Sequence, residues 1–106
     1  MRHVDLNRSR PQPGQEDRVA RLTRHLEARL RDFGPGGPEV LDSDQQTGRI
    51  TVRFPGHKTA EVLDLLSSRF GVSAALEEEQ AVFYLSPDIP FENLDYVWGC
   101  LFEVLY

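Results

Sequence analysis

Five consecutive apolar residues, AVFYL at 81–85, leave this chain few ways to fold. In an extended segment Ala81, Phe83 and Leu85 point one way and Val82 and Tyr84 the other, so no face is polar. Runs of this kind mark strands buried on both sides. Ser86-Pro87 ends the run, since proline has no N–H for a ladder. The chain must therefore build a sheet around residues 81–85 and find cover for two faces.

The remaining periodicities supply the other elements. VSAAL at 72–76 reads as a strand paired with 81–85 across an acidic tip, EEEQ. In RITVRF, Ile50, Val52 and Phe54 alternate with Thr51 and Arg53. That strand pairs with a short one at Val40-Leu41, with SDQQTG as the turn. Val19, Leu22, Leu26, Leu30 and Phe33 recur at steps of three and four, which predicts a helix from Gln15 to Phe33. GPGGP at 34–38 stops it. A second helix is predicted over 59–69, with Gly71 as its left-handed cap. A third starts near Asp88 with Pro90 in its first turn. Its apolar face takes in Phe91, Leu94, Val97, Trp98, Leu101, Phe102 and Leu105, with Tyr96 and Cys100 off it. Residues 1–15, polar and without periodicity, are expected to be a flexible tail, and 16–106 a single domain. The predicted class is α+β: an antiparallel sheet of three to four strands packed with helices, in the order α-β-β-α-β-β-α.

Charge narrows the partners. The net charge is −5, made of +3 over residues 1–33 and −8 over 34–106. An acidic body argues against nucleic acid, whose phosphates need clustered positive charge. No stretch nears the roughly 20 apolar residues that span a bilayer, so no membrane is expected. One cysteine, Cys100, and no apolar leader at the N-terminus fit the cytoplasm.

No set of residues has the spacing of an active site. Lys58, the only lysine, enters a helix from a Pro-Gly turn and reads as solvated. Cys100 has Tyr96, Val97, Glu103 and Val104 as helical neighbours, an acid and no cation to activate it. His3, His25 and His57 lack paired metal-ligand spacing. The arginines at 18, 21, 24 and 31 are diluted by Glu16, Asp17, Glu27 and Asp32. Glu77, Glu78 and Glu79 splay along a hairpin tip and do not converge. No catalytic, cofactor-binding or metal residue is therefore assigned.

Three strings, in order, resemble a known domain: RVARLTRHLEARLRDFG, GRITVRFPGHKTAEVLDLLSSRFGV and FYLSPDIPFENLDYVWGCLFEVL. They are similar to the C-terminal small domain of class V, fold-type-I pyridoxal-phosphate enzymes, the aminotransferases and cysteine desulfurase-like proteins. The likeness covers roughly residues 17–105. It implies a domain whose cofactor pocket and aldimine lysine belong to a large domain with no counterpart here. Where the family often has a substrate-binding arginine, two residues before the Ser, this chain has Tyr84. The loop that carries a desulfurase's reactive cysteine reads SAALEEEQAV. Pyridoxal phosphate is thus expected only if a separate large-domain subunit exists.

A small domain has difficulty covering both faces of a sheet. An uncovered apolar patch is therefore expected, and such patches mark interaction sites. Tyr84, Phe91, Tyr96 and Trp98 are the candidate interface residues, with Tyr84 packing under the first helix as the other outcome. The expected function is a non-catalytic module acting by self-association or by complementing a large-domain subunit. The alternative is a module that binds an amino acid and regulates.

Overall fold

The computed structural model describes residues 2–106. Its elements are β1 (Val4–Leu6), α1 (Glu16–Arg31), β2 (Glu39–Asp44), β3 (Arg49–Arg53), α2 (Thr59–Phe70), β4 (Val72–Glu77), β5 (Gln80–Tyr84) and α3 (Phe91–Leu105). One five-stranded sheet has the order β1-β4-β5-β3-β2, with β5 in the middle. The apolar run at 81–85 holds the place that its two greasy faces demand.

Several expectations need correction. The sheet has five strands and is mixed, because β1 pairs parallel with β4 through Val4–Val72 and Leu6–Ala74. The order accordingly begins with a strand, inside the segment expected to be a flexible tail. Val4 and Leu6 are buried around Asp5, and Ser73 Oγ donates to the Asp5 carboxylate at 3.4 Å. Further along, the Arg10 N–H donates to Ser86 Oγ at 2.9 Å. A three-residue alternation is too short to stand out in a sequence, and its partner lies 68 residues away. The third helix also begins later than predicted. Ile89 N–H closes a turn on Ser86 O, and Pro90, extended at ψ 146°, is the residue before the helix.

All three helices pack on one face of the sheet. There Val4, Leu6, Ile50, Val52, Val72, Ala81 and Phe83 meet Leu22, Leu26, Leu30, Val62, Leu66, Leu94, Val97 and Leu101 in one core. α1 lies over β2 and β3, α2 lies over β4 and β5, and α3 packs between the two helices. Local chemistry sets the ends. Gly71 caps α2 with φ 71°, and its N–H reaches Ser67 O. Gly48 turns β2 into β3 against the end of β5, where a Cβ would sit 2.5 Å from Leu85 O.

The opposite face carries no helix, yet Val82 is fully buried there. Its cross-strand neighbours are Thr51 and Ala75. Polar side chains close the layer above them. Arg49 donates to Glu77 at 3.1 Å and the Tyr84 hydroxyl donates to the other Glu77 oxygen at 2.5 Å. The apolar surplus expected at 81–85 is thus hidden by the sheet's own side chains, and Tyr84 packs under no helix.

Two outcomes follow. Leu6→Ala should lower unfolding free energy by about 2–4 kcal/mol in urea titrations, as for a core leucine, whereas a tail position would give under about 0.5 kcal/mol. Glu78 and Glu79 form the β4–β5 turn at φ 52° and 66°. This is left-handed backbone that suits Asn-Gly, so Glu78→Asn with Glu79→Gly should stabilise the fold by about 1 kcal/mol or more.

Candidate interaction surface

α1 and α3 run side by side in the same direction, and their seam gathers most of the exposed aromatic surface. The buried stripe of α1, Val19, Leu22, Leu26 and Leu30, faces the sheet. One flank of the helix therefore turns Arg18, His25 and Arg29, with Phe33 just beyond its end, toward α3. On α3 the inward residues are Leu94, Val97, Cys100 and Leu101, so Cys100 joins the core instead of lying off the apolar face, and Phe91, Asp95, Trp98 and Phe102 turn toward α1.

The seam grades from ionic to aromatic along its length. At its start Arg18 donates to Pro87 O and, at 2.9 Å, to Ile89 O, while its guanidinium lies over the Phe91 ring. These bonds hold the loop that delivers α3. Midway, His25 Nε2 and Arg29 Nε meet one oxygen of Asp95 at 2.8 and 2.9 Å. An ionised carboxylate only accepts, so Nε2 carries the proton. The bond from His25 is the chief reason the Asp95 carboxyl lies below the usual aspartate value. Partial desolvation opposes it and Arg29 adds to it. At the far end Phe33 lies 5.8 Å from Trp98 and 6.1 Å from both Phe102 and Tyr106, centroid to centroid. Phe102 is 50% and Tyr106 66% exposed.

The four expected interface residues divide among different places. Trp98 lies in this seam, half-buried, with Arg29 over its ring. Phe91 lies at its start, edge-on to His25. Tyr96 faces the other way: its hydroxyl donates to Phe70 O at 2.7 Å and ties α3 to the end of α2. Tyr84 is on the far sheet face, and its hydroxyl is raised above the ordinary tyrosine value chiefly by the bond to Glu77. Phe91 and Trp98 thus lie along the same seam about two helical turns apart, and Tyr84 and Tyr96 lie elsewhere. Sequence reading placed Phe33 and Phe102 on the apolar faces of their helices without naming them as interface residues, and it missed Tyr106. The signal was the width of the α3 stripe, broader than one sheet-facing side can bury.

Elsewhere the reactive groups are occupied or isolated. Cys100 is buried, and burial raises its thiol above the ordinary value, which disfavours thiolate. An open concavity of about 490 Å³ is lined by His57, Lys58, Thr59, Ala60, Leu76 and Glu79. No side-chain hydrogen bond joins these groups among the described residues. Among the described residues no three His, Cys, Asp or Glu side chains are placed to hold a metal ion, and no helix is long and apolar enough to cross a membrane. Comparison with models of known protein families finds no match, and comparison with curated proteins finds none either.

The seam makes stability depend on pH with a definite sign. Asp95 has a depressed folded value, so its contribution is complete above the unfolded aspartate value of about 4 and fades as pH falls through the folded one. Asp95→Asn should be less stable than wild type near neutrality, and urea midpoints should show the gap closing below about pH 4. A gap that stays constant down to pH 2 would show that the carboxylate's charge is not what α1 and α3 share.

Proposed function

We propose that this chain is a non-catalytic interaction module that acts by self-association and binds no cofactor of its own. The observation that carries this reading is the aromatic end of the α1–α3 seam, where Phe102 and Tyr106 remain in water beside Phe33 and Trp98. Aromatic side chains bring large area at small entropic cost and act as anchors when a partner buries them.

The other surfaces support the choice by their chemistry. β2 is an edge strand, but a bulge between Val40 and Asp42 breaks its ladder, and Glu39, Asp42 and Asp44 charge it. β1, the other edge, has three residues. Bulges, charge and shortness are the usual protections of an edge, so addition of a strand is disfavoured. The far sheet face is crossed by ion pairs, Arg53–Glu39 and Arg49–Glu77. Cys100 is buried, and Asp95, Arg49 and Glu77 each have side-chain partners within the chain. A large-domain subunit carrying pyridoxal phosphate is the partner that the sequence resemblance alone supplies.

Sedimentation over a range of concentrations tests the reading. The wild-type chain should shift from monomer to dimer as concentration rises. Phe102→Ser with Tyr106→Ser should hold it monomeric and cooperatively folded, with a melting temperature lowered only by the lost ring contacts to Phe33 and Trp98. A wild-type chain that stays monomeric at the highest attainable concentration would overturn self-association and leave a heterologous partner.

A further inference from the structure

We infer, on the basis of the self-association proposed above, that two copies stack helix layer on helix layer, with α1 of each lying on α3 of the other. The two-fold axis runs parallel to the helices. What points to this arrangement is the pattern on the outward side of the helix pair, which is complementary to itself in this orientation and in no simple alternative.

The seam contacts fix which residues share a level. Arg18 lies over Phe91, His25 and Arg29 bind Asp95, and Phe33 stacks among Trp98, Phe102 and Tyr106. Arg21 is therefore level with Glu92, Arg24 with Asp95, and Ala28 with Gly99. Helical spacing turns these residues away from the sheet, and Arg21, Arg24, Ala28 and Glu92 are exposed. Neither Arg21 nor Glu92 has an ion pair within the chain among the described residues.

A two-fold axis along the helices puts α1 over α3 of the partner at the same level. Arg21 then meets the opposite copy's Glu92, and this pair occurs twice, while Arg24 comes level with its Asp95, one oxygen of which is already held by His25 and Arg29 within the chain. At the far end Phe33, Phe102 and Tyr106 meet their counterparts. Turning the axis across the helices would instead lay α3 on α3. Its outer charges, Glu92, Asp95 and Glu103, are all acidic, and the helix carries no basic residue to relieve them. Asp32 opposite Glu103 and Asp17 opposite Asp88 are like-charged levels in the favoured arrangement, at the two rims where water and salt screen them.

Gly99 is a second, independent observation. It lies in the middle of a 15-residue helix, where glycine weakens the helix relative to alanine. Nothing in the chain requires it, since a Cβ built there meets no atom within 4 Å. Its level-mate Ala28 is also small, and exposed where Gly99 is partly so. Two small residues at the middle of the face let the facing helices approach closely, which the stacked dimer uses and the monomer does not.

Charge reversal tests the arrangement. Arg21→Glu alone, or Glu92→Arg alone, places two like-charged pairs in the homodimer and should weaken it about tenfold by sedimentation. Mixed together, the two variant chains restore both attractive pairs. They should form a heterodimer at about wild-type affinity, counted by native mass spectrometry with one chain mass-tagged. Gly99→Arg should abolish the dimer while leaving the melting temperature of the monomer unchanged or higher. A wild-type monomer would overturn self-association itself. A wild-type dimer whose single reversals are neutral, or whose mixture shows no preference for the heterodimer, would overturn only this stacking. A Gly99→Arg chain that dimerises normally would do the same.

Discussion

Everything in this structure depends on β5 being enclosed. Phe83, fully buried between β3 and β4 on the helix-facing side, needs a layer of leucines above it, and α1, α2 and α3 supply that layer. α2 covers β5 together with β4, while α1 covers β3 and the edge strand β2. On the other side the same strand is enclosed by a different means. Val82 is covered by Thr51 and Ala75 and by the Arg49–Glu77–Tyr84 network above them. One strand is thus closed by hydrophobic packing on one face and by hydrogen-bonded side chains on the other. A domain too small for a second helical layer can hide a two-sided strand this way.

The one-sided helix layer has a consequence for the surface. Three helices side by side on a sheet each have an inner face, flanks and an outer face, and only the inner faces reach the core. α3, the middle helix, uses both flanks: Tyr96 toward α2, and Asp95 and Trp98 toward α1. Its apolar stripe is wider than its inner face, so the excess emerges at the α1 side as Phe102 and Tyr106. The candidate interaction surface therefore arises where the hydrophobic content of one helix exceeds what the sheet can take. The polar half of the seam sets the pitch of the two helices, because His25, Arg29 and Arg18 reach groups fixed on or beside α3.

Sequence reading succeeded where the information is local. The steps of α1 and α2, the Gly71 cap and the alternation of Ile50, Val52 and Phe54 each depend on residues within a few positions of one another. It failed at β1 because a parallel pairing with β4 is created by the fold and leaves only Val-Asp-Leu as its local trace. It failed at the start of α3 because Asp88 and Ile89 turn back on Ser86 before the helix can begin. For the interface, aromatic content drew attention to Tyr84, Phe91, Tyr96 and Trp98, but composition carries no information on which side of a sheet or helix a ring emerges.

The amino-acid sequence by itself determined that 81–85 would be an inner strand and that amphipathic helices would have to cover it. Hydrophobic periodicity is a property of neighbours along the chain, and burial follows from it whatever the topology. Only the tertiary structure decided that all three helices share one face, that Asp5 and Arg10 are tied down, and that Tyr84 bonds to Glu77 while Phe102 stays in water. Those outcomes depend on contacts between segments far apart in the chain, and their energies exist only once the segments have met.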